Sequence, residues 1–530
     1  MPLANDPHFA ALPLAARLAL AAQMQALETR AQTAENKVQE TELLLRLARE
    51  ELRLLRMAKY GPKSEQLSDG QLALLELEPG VAAAEVAKEA ACPEADKQVE
   101  TAAQKPRRPH PGREALPSHL PRREEVRTVP DAQCQCAQCG QLTKVIGYDV
   151  SEELDFQPAE YFVRVTKREK RACPQCEEAG VQTAPLPPKI IEKGKASNRV
   201  IVDVLVKKYG DHLPLYRQGA ILERDWGVEL SQATLGGWVM QAGVWCMALA
   251  GALRPELLAG TYVQADETTV AVQSAETKRR NHQAYLWQYS RPDGPVVFDF
   301  QMGRGREGPR KFLGLFAGVL QCDGFAAYDK LGGPGLVYAG CWAHVRRRFV
   351  DALKLDPQDR AVSEIITEIG KLYAIEKQAR EAGAGAAERA QLRQAQSVPQ
   401  LAIIQEKIIK LRQKVLPQSA AGKACDYALG QWSRVEVYAR PECGAVEIDN
   451  NWCENAMRPV AVGRKNWLHI GSAEAGPRVA AIASLIETCR RLDINPRDYL
   501  LDVLPLVPTW SSQRLAELTP ARWKARQPPR

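Results

Sequence analysis

Three short segments of this 530-residue chain place acids where stability alone would not put them. Tyr262-Val263-Gln264-Ala265-Asp266 and Leu320-Gln321-Cys322-Asp323 are largely apolar runs ending on an aspartate, the pattern of a buried strand with a carboxylate at its tip. Asp449-Asn450-Asn451-Trp452-Cys453-Glu454 reads as a turn opening a helix, with Glu454 one turn in. A desolvated carboxylate must be paired or bind a cation. Three of them converging on hard ions would meet that demand. Oxygen ligands select Mg²⁺ or Mn²⁺, and a pair of such ions clamps both oxygens of a phosphodiester displacement. Taken one at a time, each segment reads more readily as an isolated surface acid.

A second chemistry lies upstream. Cys136-Ala137-Gln138-Cys139 and Cys173-Pro174-Gln175-Cys176 offer four thiolates for tetrahedral Zn²⁺. The interval between the pairs is longer than in a compact zinc ribbon, and strand-like alternation at Tyr161–Val165 predicts a hairpin that closes it. Cys134 competes for the first pair. Four thiolates leave no open position, so the role read here is structural. Basic groups form the third set. Arg458, Arg464 and Lys465 follow Glu454, with Trp467 among them, and His344 sits beside Arg346, Arg347 and Arg348. Cations near a carboxylate site suit a phosphate backbone, and they equally suit salt bridges to the acids themselves.

The elements that must hold these groups follow from periodicity and breakers. Residues 14–58 predict one long helix, with Val38, Leu45 and Leu52 seven apart and Ala48 and Leu55 at the companion position. That is a heptad, read as a coiled-coil dimer or as a helix packed on its own chain. Gly61-Pro62 ends it, and a Pro-rich basic linker follows, with Lys105, Arg107, Arg108 and Arg113. Residues 196–245 predict three helices capped at Ser197, Pro214 and Ser231, the last (Ser231–Met240) a candidate recognition helix. Strands are expected at 261–272, 285–289, 296–301, 319–322 and 336–341, with helices at 309–317 and 346–355. Strands and helices in that order fit an α/β ribonuclease-H-like domain with a mixed sheet. Side chains alternate across a strand, so only one of Asp266 and Glu267 can face a metal. Residues 357–444 are helical and charged, with apolar spacing at Ile365, Ile369, Leu372, Ile403, Ile404, Ile408 and Leu411. Lys407, Lys410, Arg412 and Lys414 there read as a solvated face or a DNA clamp. The tail predicts two amphipathic helices broken at Asn495-Pro496, then an irregular basic end after Pro505.

The net charge of +7 permits nucleic-acid binding without arguing for it. Thirteen cysteines, mostly scattered among apolar neighbours, suit a reducing compartment. No run of eighteen apolar residues and no signal-peptide pattern is found, so a cytoplasmic chain off the membrane is expected.

Longer blocks carry a resemblance. Asp323-Gly324-Phe325-Ala326-Ala327-Tyr328, Gly340-Cys341-Trp342-Ala343-His344-Val345-Arg346-Arg347-Arg348-Phe349 and Asn450-Asn451-Trp452-Cys453-Glu454-Asn455-Ala456-Met457-Arg458-Pro459 stand in that order. Gly463-Arg464-Lys465-Asn466-Trp467 and Gly471-Ser472 continue the last block. From about Lys59 to about Leu504 the chain resembles the insertion sequence 66 family of DDE transposases. The resemblance implies a ribonuclease-H-like catalytic core in two parts, 256–356 and 445–482, interrupted by a helical insertion at 357–444. Around it are expected an N-terminal helix (1–60), a linker (61–128), a zinc-binding segment (129–190), a helix-turn-helix-like segment (191–255) and C-terminal helices (483–530). It selects Asp266, Asp323 and Glu454 as the catalytic, Mg²⁺-holding acids, with Glu267 turned away or supporting. Arg346, Arg347, Arg458, Arg464 and Lys465 are expected on DNA. The implied partners are element ends, target DNA, further copies of the chain and companion small proteins. The expected activity is a transposase. A nuclease or resolvase without strand transfer is the first alternative, and a DNA-binding regulator with an inert catalytic domain is the second.

Overall fold

The computed structural model describes residues 13–60, 160–172, 181–192, 194–273, 281–329 and 331–527. Cys134, Cys136, Cys139, Cys173 and Cys176 and the basic linker lie outside the described residues. The chain divides into two compact units, residues 93–184 and the remainder.

In the smaller unit, β1 (Lys170–Ala172) pairs antiparallel with β2 (Val181–Thr183), with Arg171 opposite Gln182. The Arg168 guanidinium extends the hairpin by donating to the Ala184 carbonyl at 2.6 Å. The strand expected at Tyr161–Val165 is not formed: Phe162, Val163 and Val165 lie exposed in irregular backbone. Alternation is a property of one segment, whereas a strand also needs a partner, and the pairing here falls five residues later.

In the larger unit, α1 (Leu14–Tyr60) is an unbroken helix of 47 residues. The three helices that follow start where their caps predict. Ser197 Oγ accepts from Val200 N–H ahead of α2 (Asn198–Tyr209). Gly227, at φ 65°, ends α3 (Leu215–Trp226). Ser231 caps α4 (Gln232–Leu258). The third helix corrects an expectation. It runs past Met240 to 27 residues, with its first turn exposed and Leu235, Val239, Ala242, Cys246, Leu249, Leu253 and Leu257 buried. By length and composition α4 could also cross a membrane, and those buried residues account for its apolar character.

The sheet contains β3 (Tyr262–Val272), β4 (His282–Ser290), β5 (Val296–Gln301), β6 (Val319–Gln321) and β7 (Val337–Ala339). Its order is β5-β4-β3-β6-β7, antiparallel among the first three and parallel from β3 to β7. The parallel pairs need crossovers, and α5 (Glu307–Leu313) lies in the first of them. After β7 come α6 (Trp342–Leu355), α7 (Arg360–Glu381), α8 (Ala386–Leu392), a π-helical turn at Arg393–Ser397, α9 (Val398–Arg412), α10 (Ala420–Gly430) and α11 (Trp432–Val435). They are followed by α12 (Asn451–Trp467), α13 (Ala475–Arg491), α14 (Pro496–Val503) and α15 (Pro520–Arg526).

Period-2 alternation along β3 sorts its two faces. Val263 and Ala265 join the core built with α2, α4 and the C-terminal helices, while Val270 and Val272 pack with Ala456, Met457 and Val460 of α12. Neighbouring helices bond at both edges of the sheet, which limits the strand groups left unpaired. Ser484 Oγ accepts the Phe298 N–H at 2.8 Å and Thr488 Oγ1 the Val296 N–H at 3.0 Å, so α13 closes the β5 edge. Past β7, Gly340 N–H donates to Arg434 O at 2.9 Å and the Trp342 indole to Val435 O at 2.8 Å.

The segment 357–444 forms its own helical core on α6. Ile365, Ile369, Leu372, Ile404, Ile408 and Leu411 bury around Trp342 and Phe349, while Ile403 stays exposed on the outer face of α9. The chain after Pro505 also differs from expectation. Leu518 and Thr519 are buried, Tyr499 Oη donates to Leu518 O at 2.9 Å, and Trp523 meets the Tyr499 ring edge-on at 5.8 Å. Buried aromatics earlier in the chain supply partners that its own composition does not reveal.

Candidate active site

Asp266 lies on β3 and shares the face of Gln264 that looks toward α12. Gln264 is fully buried, and its amide ties that face to the start of α12. It donates to Asp449 O at 2.8 Å and accepts from Cys453 N–H at 3.0 Å. Asn450 Nδ2 donates to Ala265 O at 3.1 Å. Cys453 Sγ donates to Gln288 Oε1 on β4 at 2.8 Å. These bonds fix the first turn of α12, and Glu454 with it, against the strand that bears Asp266.

The third acid arrives through strand register. β3 and β6 run parallel with Gln264 opposite Gln321, and two residues further along each chain stand Asp266 and Asp323. Gln321 joins the same buried network, donating to Gly340 O and Glu447 O at 2.9 Å each. Asp323 Oδ1 accepts the Phe325 N–H at 2.9 Å across Gly324, whose φ of 88° disfavours any side chain there. Tyr427 of α10 donates to the Asp323 carbonyl at 2.8 Å, so the inserted helices brace this loop.

The acids act on one another electrostatically. Burial, then the carboxylates of Glu454 and Glu267 and finally Asp323, hold the Asp266 carboxyl well above the usual carboxylate range. Glu267 points to the other face, where Arg304 pairs with it at 2.6 Å and Tyr328 Oη donates to it at 3.0 Å. Burial raises its carboxyl, and the Arg304 and Tyr328 hydrogen bonds oppose that rise. Arg304 also stacks over Phe325 at 3.7 Å, so Glu267 anchors the loop carrying Asp323.

A raised aspartate is a cost that can be measured. The folded carboxyl binds its proton more tightly than the unfolded one. Stability therefore falls as pH climbs from about 4 through the folded value, and the deficit persists above it. Asp266→Asn should melt higher than the native protein in chelator at pH 8, by roughly 2–4 °C per kcal/mol relieved. The gap should close at pH 4. Differential scanning calorimetry across that range decides it, and a variant that melts lower at pH 8 would show that the burial carries no penalty.

The expected basic residues divide. Arg347 is exposed on α6 with its guanidinium 3.9 Å from Glu454 Oε2, and Arg346 is half-buried beside it. Arg348 lies over the Tyr427 ring at 4.8 Å. Arg458 and Lys465 are exposed on α12. Arg464 instead turns inward and donates to Thr268 Oγ1 at 2.7 Å and Thr269 O at 2.5 Å, riveting α12 to β3. On the insertion, Lys407 pairs with Glu364 at 2.9 Å, Lys410 with Glu406, and Arg412 with Asp426 at 2.5 Å. Those cations are balanced locally, as a solvated face would be.

Tyr262, Gln264, Gln288, Gln321 and Asn450, all buried, were missed by reading acids and bases alone. Their signal was present as polar residues inside otherwise apolar strand runs, which a buried segment tolerates only when hydrogen-bonded.

Comparison with known proteins gives matches along most of the chain. The family model described as "Transposase IS66 family" matches residues 193–478. The "zinc-finger binding domain of transposase IS66" matches residues 133–177. Models described as "Transposase C of IS166 homeodomain" and "IS66 C-terminal element" match residues 47–124 and 484–521. Among similar proteins, the uncharacterized protein y4qI of Sinorhizobium fredii (strain NBRC 101917 / NGR234) is 34% identical over 491 residues, covering 89% of this chain and 88% of its own. The uncharacterized protein y4jD of the same strain is 32% identical, covering 78% of this chain and 82% of its own.

Proposed function

This chain belongs to the IS66 transposase family, and from that premise we propose that it cuts the ends of a mobile DNA element and joins them to target DNA by two-metal phosphoryl transfer. The observation that carries the reading is the placement of three carboxylates on neighbouring elements, Asp266 within β3, Asp323 just past the end of β6 and Glu454 in the first turn of α12, with Asp266 desolvated and under the influence of the other two. Such a group gains a partner when a cation binds. The sheet order β5-β4-β3-β6-β7 supports a ribonuclease-H-like core, and the all-oxygen donor set suits Mg²⁺ or Mn²⁺.

Asp266, Asp323 and Glu454 would hold two ions. Such ions activate the attacking water or 3′-hydroxyl and stabilise the leaving 3′-oxygen. The chain's own work is positional. The buried glutamines hold the acids at fixed spacing, and Glu267 with Arg304 steadies the Asp323 loop. Arg346, Arg347, Arg458 and Lys465 offer charge to the phosphate backbone, while Arg464 serves DNA only through the placement of α12. The four cysteines Cys136, Cys139, Cys173 and Cys176 would hold a structural Zn²⁺, supported by their spacing and by the match over residues 133–177. Leu27, Val38, Leu44 and Leu45 are exposed along α1, which supports pairing with a second copy of the chain. The chain would act in the cytoplasm, with the element's companion small proteins as further partners.

The test is incubation of purified protein with Mg²⁺ and two duplexes, one bearing the element's ends. The expected products are nicks exposing a 3′-hydroxyl at those ends, then a covalent joint to the second duplex. Nicks that are never joined would favour the nuclease or resolvase reading. Specific binding with no cutting would favour the regulator.

A further inference from the structure

Beside the oxygen-lined acids lies a second donor set of different chemistry. Cys341 caps α6 and His344 stands three residues on, in its first turn. An i, i+3 step places two side chains on one side of a helix. Glu454, entering from α12, completes the group, and the Cys341 sulfur, a His344 ring nitrogen and a Glu454 oxygen all lie within 4.8 Å of one another.

The group also has unmet demands. His344 Nδ1 and Glu454 Oε1 are buried, and neither has a hydrogen-bond partner. They face each other at 3.7 Å, too far for a hydrogen bond. Buried polar atoms are normally satisfied, and a facing pair that is not calls for a guest between them. Around a tetrahedral Zn²⁺, sulfur, nitrogen and oxygen ligands stand about 3.5 Å apart. The observed spacing therefore needs a small contraction and no rebuilding. One thiolate, one imidazole and one carboxylate make a borderline-soft set that prefers Zn²⁺ over Mg²⁺ and leaves a fourth position for water.

We propose that Cys341, His344 and Glu454 form a thiophilic metal site, separate from the four-cysteine segment, that takes Zn²⁺ and shares Glu454 with the hard-ion site. Binding releases the thiol proton of Cys341. With Glu454 drawn to zinc, the hard-ion site loses one of its three acids. Zinc is thus a competitive inhibitor of Mg²⁺ at this centre. The consequence for activity rests on the transposase reading; the binding does not.

The experiment is a titration of full-length protein with Co²⁺, the spectroscopic substitute for Zn²⁺, comparing native chain with Cys341→Ala and His344→Asn. Native protein should load one more equivalent than either variant, with a thiolate charge-transfer band that Cys341→Ala diminishes. Calorimetric melting of each apo-variant identifies any that fails to fold, and each substitution checks the other. Equal stoichiometry and equal spectra in all three proteins overturn the site. In the cleavage assay with Mg²⁺, Zn²⁺ should inhibit native protein, and the midpoint should rise at least tenfold in Cys341→Ala. An unchanged midpoint overturns the competition. If the extra equivalent is lost in the variants while no preparation cuts DNA in any metal, the site stands and the cleavage reading falls instead.

Discussion

Glu454→Gln and Asp266→Asn each lower strand cleavage and joining by roughly 10³-fold or more, while binding to element ends stays close to native. The magnitude follows from what a lost ligand removes. Metal stabilisation of charge at the attacking and leaving oxygens contributes several kcal/mol, and about 4 kcal/mol is about three decades in rate. Both changes keep the side-chain volume and remove one formal charge. Glu454 reaches the site from a turn fixed by Gln264, Asn450 and Gln288, none of which is altered. A loss of cutting with intact binding therefore isolates chemistry from folding. Gel-resolved cleavage products and a parallel mobility-shift titration read the two quantities separately. Variants that cut as well as native would remove the acids from the mechanism. Variants that lose binding in proportion to cutting would make them structural.

The second large effect lies in the insertion. Arg393 and Glu376, both 1% exposed, pair through two hydrogen bonds of 2.7 Å each. Arg393 also donates to the carbonyls of Tyr438, Cys443 and Gly444 at 2.9, 3.2 and 3.4 Å. Arg389 bridges from Glu376 at 3.2 Å to Glu447 at 2.9 Å, a residue whose backbone accepts from Gln321. Burial pushes the Glu376 carboxyl up, but the Arg393 and Arg389 guanidiniums hold it below its ordinary value. Arg393→Ala leaves that carboxylate to Arg389 alone and strands three carbonyls in the interior, a loss of about 3–5 kcal/mol. Arg393→Met combined with Glu376→Leu should recover the part that comes from the unpaired carboxylate, because two apolar groups of similar size leave no charge at that position, while the three carbonyls stay without their donor. The sign with pH is fixed by the lowered carboxyl. Its stabilisation is present above the unfolded glutamate value and is lost as pH falls through the folded one, so the gap between native and Arg393→Ala narrows below about pH 4. Urea unfolding midpoints at pH 7 and at about pH 3 test both statements, and an Arg393→Ala chain as stable as native at pH 7 would refute them.

This pair also explains how an insertion of helices can sit between two halves of one site. The sheet delivers Asp266 and Asp323, the chain leaves for the helices, and it returns at Glu447 and Asp449 into bonds with Tyr262, Gln264 and Gln321. The Arg393 cluster ties the inserted helices to the returning strand of chain, so damage there is expected to reach Glu454.

Local chemistry wrote much of this protein into its sequence. Caps at Ser197 and Ser231, the Gly227 stop and the period-2 runs of the sheet depend on a few neighbouring residues, and they fall where the pattern puts them. The acidic segments could be picked out because an aspartate ending an apolar run is costly wherever the run is buried. Partner choice is non-local, and the tertiary structure alone decided it. Nothing near Arg464 says that it spends its charge on Thr268 and Thr269, or near Ser231 that its helix runs on to Leu258 as core. Phe162, Val163 and Val165 have strand alternation and no strand to join, while the tail after Pro505 has little pattern of its own but finds Tyr499. A carboxylate, a guanidinium or a strand is specified by its own residues; what it pairs with is set by other parts of the chain, from 17 positions away for Arg393 and Glu376 to 196 for Arg464 and Thr268.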